Sequence, residues 1–302
     1  MPFSEADYKT YIRWGTSTWT YEGWKGIVYH KDYHPARFKR ECLAEYARDG
    51  RFSTVGMDLF FYRPPSPGEL ASYARQLPAG FTACSKVWEE ITVKRYPNHP
   101  RYGEHKGKEN PNFLNVEQFV TRVLEPYRKV FAVFTGPFIF EFGYLSREDM
   151  PSVHAFAERL DGFFTQVPKD FAYSVEIRNR NFLAPAYFAV LRKHKVAHVF
   201  NHWSFMPPIS EQLRYDAITA DFIVCRVLTP LGMRYDEAVK RFQPYDKIVE
   251  RQPRMREDVL RLAAMAMERK IPAYILINNR AEGSAPLTIT ELDQLLRQNL
   301  LS

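Results

Sequence analysis

The chain has 302 residues, 45% hydrophobic and 25% charged, a balance that excludes global disorder and supplies enough apolar mass for a large buried core. Lys and Arg outnumber Asp and Glu by 42 to 35, a formal +7 with a pI near 9.2, which favours anionic partners without requiring nucleic acid. Cys42, Cys84 and Cys225 are widely spaced, MPFSEADYKTYIRWG has no apolar leader, and no run approaches ~20 apolar residues, so the sequence predicts an untargeted, non-membrane protein of the reduced cytoplasm.

Short β-rich runs alternate with helical patterns from end to end. IRWGTS precedes ARFKRECLAEYARDG, STVGMDLFFY precedes SPGELASYARQL, FTACSKVW precedes VEQFVTRVLEPYRKV, and FAVFTGPFIFEF precedes MPSVHAFAERLDGFF. AYSVEIRN then precedes LAPAYFAVLRKH, VAHVFNHW an irregular crossover, DFIVCRVL the run REDVLRLAAMAMERK, and PAYILINN the run TITELDQLLRQ. Eight such units predict an α/β fold, a single (β/α)8 TIM-like barrel over residues 1–302. No GxGxxG or GxxxxGKS/T run supports a nucleotide-binding sheet instead.

Two connections exceed a simple turn. EEITVKRYPNHPRYGEHKGKENPNF, after the third strand, is polar and lacks apolar periodicity, which predicts a mobile or lid-like loop. TPLGMRYDEAVKRFQPYDKIVERQPRM, after the seventh, gathers aromatic and basic residues around a short helix. Both should overhang one mouth, because every βα loop of such a barrel emerges at its C-terminal face.

In AYSVEIRN, strand alternation puts Tyr173, Val175 and Ile177 on one side and Ser174, Glu176 and Arg178 on the other. Charge on an inward face is tolerable at the C-terminal end of a barrel strand, where the axis opens to the mouth. The same test selects Asp58, then Tyr62 and Arg63 past the second strand, Lys86, Glu141, Arg226, and Asn278 with Asn279. Four cations against three anions make a mixed mouth that leans positive and suits a small anionic ligand, a phosphorylated one included. Arg178, Arg226 and Lys86 are the expected anion clamps, with Glu176 as general acid or base, and Lys86 and Asp58 are further catalytic candidates. Gly283 and Ser284 precede Pro286 at a helix start, where free amides beside Arg226 would hold phosphate. Trp19, in GTSTWTYEGWKG, would either stack on a sugar or base or roof the barrel core.

Other readings of the same residues stay open. The charged ring could be a paired network plugging the barrel without a ligand. Lys94, Arg95, Arg101, Lys106 and Lys108 in the loop 94–108 could bind nucleic acid, and the barrel could be a non-catalytic sensor or scaffold. His198 and His202, four residues apart on one strand, are ~13 Å apart and cannot share a zinc. Asp58, Glu141 and Glu176 could hold Mg²⁺ if they converge, so metal and cofactor are left unknown.

The ordered series GTSTW with YEGW, FFYRPPS, SKVWEEIT, GPFIFEF, YSVEIRN and INNRAEGSAP resembles the YecE-like proteins, domain-of-unknown-function family 72, over nearly the whole chain. The resemblance implies a TIM-like barrel and no established activity. It matches that family's polar positions at Tyr62, Arg63, Lys86, Glu176, Arg178, Arg226, Asn278, Asn279 and Gly283. Gly56 and Asp58 stand where the family usually has Glu and Asn, and Glu141 where Gln is usual, which marks a divergent member.

Overall fold

The computed structural model describes residues 3–300. Its eight strands are β1 (Ile12–Thr16), β2 (Thr54–Met57), β3 (Thr82–Lys86), β4 (Thr135–Phe142), β5 (Tyr173–Ile177), β6 (Ala197–His202), β7 (Ile223–Val227) and β8 (Ala273–Ile277). They form one parallel sheet ordered β1-β8-β7-β6-β5-β4-β3-β2, which the helices between them wrap as a nearly closed barrel. The predicted (β/α)8 fold is present.

Period-two alternation decides what each face meets. Phe138 and Phe140 of β4 turn outward onto Phe119, with ring centroids 6.2 and 5.0 Å away, and Phe140 also meets Phe163 at 5.4 Å. Turned to the axis, Cys84, Ile139, Val199, Val224 and Leu276 form a separate buried apolar plug. Above that plug, at the C-terminal ends, the same inward parity delivers Lys86, Glu141, Glu176 and Arg226.

The closure between β1 and β2 differs from the others. Among the described residues these two strands share no ladder. The Ser53 amide donates to the Trp14 carbonyl at 3.0 Å, and the Tyr46 hydroxyl bridges the strands, accepting from Thr16 N–H at 3.0 Å and donating to the Thr54 carbonyl at 3.2 Å. Glycine permits the approach: a Cβ on Gly15 would lie 2.3 Å from Thr54 O, and one on Gly56 would lie 2.6 Å from Ser17 O.

Several elements depart from the sequence pattern for identifiable reasons. The third-unit helix runs Val116–Phe119, a π turn Val120–Leu124 and Glu125–Val130. Pro126 has no amide to donate, so the hydrogen bonding shifts register just before it. The second strand stops at Met57 and the chain tightens into a 3₁₀ turn, Asp58–Phe61. The crossover after β6 holds two short helical turns, Ile209–Gln212 and Leu213–Tyr215. The loop after β3, expected to be lid-like, is instead stitched down. Arg95 and Glu109 form an antiparallel bridge, and the buried Asn110 amide donates to Glu90 O and Val93 O, both at 2.7 Å.

Candidate functional site at the barrel mouth

Arg226 reaches the mouth from β7 as one of the largest fully buried side chains. Its Nη1 donates to Glu141 Oε2 at 2.8 Å and Glu176 Oε2 at 2.5 Å, and its Nη2 donates to Asp58 Oδ2 at 2.7 Å. Arg178 Nη2 lies 3.1 Å from Glu141 Oε2 and 2.7 Å from Glu176 Oε1, and Lys86 Nζ lies 3.1 Å from Glu141 Oε2. Three cations and three carboxylates, on or just past the ends of β2, β3, β4, β5 and β7, thus interlock in one layer.

The electrostatics follow from this crowding. Burial alone would raise the Glu141 carboxyl, but Lys86, Arg178 and Arg226 outweigh it and hold the group well below the usual carboxylate range. Burial likewise opposes the charge on Arg226, and Asp58, Glu176 and Glu141 reverse that effect and keep it ionised. The three carboxylates converge on the Arg226 guanidinium, which joins them. Among the described residues, no group of three or more His, Cys, Asp or Glu is placed to hold a metal ion.

Above the charged layer lies a cleft of about 410 Å³. Asp58, Lys86, Glu141, Arg178, Arg226 and Asn278 line it from the strand ends, and Tyr62, Tyr144, Trp203, Tyr235 and Arg280 line it from the loops. Three rim aromatics carry an arginine on one face: Arg101 on Tyr62 at 4.2 Å, Arg178 on Trp203 at 4.6 Å and Arg280 on Tyr235 at 4.5 Å. Lys86 sits 3.7 Å over the Phe61 ring. Asp58 Oδ1, Arg178 Nη1 and Arg226 Nε are buried without a hydrogen-bond partner in the protein, which is uncommon for such groups.

The expected residues divide accordingly. Asp58, Tyr62, Lys86, Arg178, Arg226 and Asn278 come together at the cleft. Glu176 is fully buried beneath it, with one carboxylate oxygen on Arg226 and the other against Arg178, so the group given the acid or base role does not face the cleft. Arg63 points away into a bidentate pair with Glu69, at 2.8 and 2.7 Å, because the 3₁₀ turn breaks strand parity before it. The charge count at the mouth is therefore three against three, with Arg280 at the rim.

Trp19 is fully buried, edge-on to Tyr73 at 5.3 Å, in the roofing position. Asn279 is also buried: its Oδ1 accepts from Trp24 Nε1 at 3.2 Å and from the Ala285 amide at 2.8 Å, so the first amide of the final helix (Ala285–Leu300) is already occupied. A Cβ on Gly283 would lie 2.5 Å from Lys247 O, and Ser284 is fully buried, so neither opens onto the cleft. The nearby Glu282 carboxylate accepts from Arg256 at 2.8 and 2.6 Å and from Thr288 Oγ1 at 2.9 Å, placing an anion of the protein itself at that helix start.

Trp203, Tyr144, Tyr235 and Arg280 were not singled out by sequence. They lie in connecting segments without periodicity, and only the aromatic and basic density of the loop after β7 pointed toward one of them. His198 and His202 turn outward from β6 among the helices, and burial lowers each to about 4, leaving neutral rings in the packing.

An eight-stranded parallel barrel whose C-terminal mouth carries an interlocked charged layer under an aromatic rim defines an α/β barrel protein with a polar cleft at the end where such barrels bind their ligands. Residues 13–301 match the family model described as "Protein of unknown function DUF72", and the chain belongs to that family. The fold is similar to that of a DUF72 family protein from Enterococcus faecalis V583, with 18% identity, a TM-score of 0.65 and 95% of each chain covered. It is also similar to a DUF72 family protein from Thermotoga maritima MSB8, with 19% identity, a TM-score of 0.63, and 95% of this chain and 99% of that one covered. No curated protein matches the chain.

Proposed function

We propose that the barrel mouth binds and transforms a small anionic molecule. The observation that carries this reading is Arg178: it lines the cleft, is anchored by two carboxylates through Nη2, and retains a buried Nη1 with no protein partner. An arginine fixed at one nitrogen with the other unspent is preorganised for a carboxylate or phosphate oxygen. Lys86 and Arg280 supply further cationic donors on the same cleft.

Asp58 is the best-placed proton-transfer group. It lines the cleft, its side chain is 30% exposed, and its Oδ1, though buried, has no protein partner while Oδ2 is held by Arg226. Glu141 is too strongly stabilised as an anion to be an effective base, and Glu176 serves to position the two arginines. In this reading Arg226 orients Asp58 and the substrate acid group lies toward Arg178 and Lys86.

Calorimetric titration with inorganic phosphate and with small mono- and dicarboxylates tests the binding step in the native protein and in Arg178→Gln. Saturable binding that the variant loses by tenfold or more supports the site, while absence of binding, or equal binding in both proteins, refutes it. With a bound substrate in hand, Asp58→Asn should retain binding and lose turnover; turnover retained in full would make Asp58 dispensable. Binding without any chemical change in the native protein would make the barrel a sensor.

Nucleic-acid binding through residues 94–108 has less support, since Lys94 pairs with Glu109, Arg95 with Asp149 and Glu148, and Arg101 with Glu89. Cys42, Cys84 and Cys225 are free and buried, which suits a reducing cytoplasm, and among the described residues no helix is long and apolar enough to cross a membrane.

A further inference from the structure

The mouth cleft has a neighbour. A second trough of about 680 Å³ lies over the loop after β3, lined by Trp88, Tyr96 and Tyr102 together with Glu89 and Glu90. Tyr62, 58% exposed, lines both clefts. The chain connects them as well: Lys86 ends β3 in the mouth, and two residues later Trp88 and Glu89 open the wall of the trough.

The polar groups in this trough have a distinctive chemistry. Glu89 accepts from Tyr102 Oη at 2.8 Å and Arg101 Nη2 at 3.2 Å, both on Oε2, which leaves Oε1 to accept from a ligand. Glu90 Oε1 accepts from Tyr96 Oη at 2.6 Å and from Asn112 Nδ2 at 2.8 Å. Arg101, stacked 4.2 Å from the Tyr62 centroid and 4.7 Å from that of Tyr102, fixes the two rings and neutralises Glu89. Aromatic faces beside carboxylate acceptors suit a ring that offers C–H faces for packing and hydroxyl groups as donors. Two carboxylates against one arginine leave the trough lining net acidic, which disfavours a second acid group there.

We infer that the trough is a subsite for a polyhydroxylated ring, and that the substrate is an elongated sugar-type anion with its acid group in the mouth and its ring carried over Tyr62 onto the strand-three loop. The position of the acid group rests on the mouth reading above; the ring subsite stands on the trough alone. The stitching of this loop through Arg95, Glu109 and Asn110 gives the subsite a fixed floor, so its aromatic walls are preformed.

Titration calorimetry with inorganic phosphate, glucose 6-phosphate and neutral maltose separates the two ideas in the native protein, Glu89→Gln and Tyr102→Ala, with circular dichroism and unliganded midpoints checking that each variant is folded. Glucose 6-phosphate should bind at least tenfold tighter than phosphate, and both variants should abolish that preference while leaving phosphate affinity unchanged. A glucose 6-phosphate affinity equal to that of phosphate in the native protein, or a preference that survives both variants, overturns the subsite. Maltose binding that is lost in Glu89→Gln, with no binding of phosphate, keeps the subsite and refutes the anion site. No binding of any of the three refutes both.

Discussion

Replacing Arg226 by Met removes the buried cation that joins Asp58, Glu141 and Glu176 while keeping an unbranched, flexible stem in its place. Breaking a buried pair by deleting one partner costs about 3–5 kcal/mol because charge is left behind without compensation. Glu141 retains Lys86 and Arg178, and Glu176 retains Arg178, so the loss belongs near the lower end, about 3 kcal/mol. With an unfolding entropy of about 2.1 cal/mol/K per residue over 302 residues, the thermal midpoint should fall by about 5 °C at neutral pH. The sign with pH follows from Glu141. Its folded-state pKa is depressed, so its stabilisation is fully present above the unfolded value near 4.3 and is lost as pH falls through the folded value. The variant forfeits part of that contribution, so the gap between the two proteins should be widest near pH 7 and should narrow below about pH 4. Urea titration followed by tryptophan fluorescence at both pH values measures it. A difference under about 1 kcal/mol at neutral pH, or a gap that widens on acidification, would refute the coupling of Arg226 to the three carboxylates.

Further outcomes concern the frame and its periphery. Tyr46→Phe leaves the Thr16 amide without its buried acceptor and should destabilise the protein by about 1–3 kcal/mol, with amide exchange at Thr16 accelerating more than at Val224. Gly15→Ala should cost about 3 kcal/mol in urea titration, since the added methyl meets the Thr54 carbonyl and the strands cannot separate freely. Glu291, lowered to about 2 chiefly by hydrogen bonding to Arg251, contributes stability above about pH 4.3 that disappears toward pH 2, so Glu291→Gln should flatten part of the acid limb of a midpoint-against-pH curve. The three thiols should resist an aromatic disulfide reagent in the native protein and react fully in denaturant, because burial pushes the Cys42 and Cys84 thiols up to about 12.

The barrel was legible because its strands obey a two-residue period and its helices a 3.6-residue one, and these rhythms exchange eight times along the chain. The same period placed Lys86, Glu141, Glu176 and Arg226 on the inner face, since a strand residue has only two directions to choose from. Where the strand ended, so did the inference. The run STVGMDLFFY predicts a strand to Tyr62 with Arg63 just past it at the mouth, but the chain turns after Met57 and the Arg63 side chain pairs with Glu69 instead. Trp203, Tyr235 and Arg280 belong to segments whose direction is set by contacts between loops distant in sequence, and no local pattern encodes such contacts. The pairing within the charged layer was hidden for a related reason: parity shows that Glu176 faces the axis, but not that two arginines close over it.

The clasp between β1 and β2 gives the barrel a directional weakness. Seven interfaces are joined by parallel ladders, that between β3 and β4 broken by a register shift, while the eighth relies on the Tyr46 hydroxyl, the Ser53 amide and two glycines that bring the backbones together. The molecule is therefore less a hoop than a rolled ribbon with a buckle, the interface at which local opening is expected first. Asp58 follows β2 directly, and Arg226 ties it across the mouth to the opposite wall, so opening the buckle would pull on the charged layer. That tie makes the polar mouth a second fastener for the barrel that carries it.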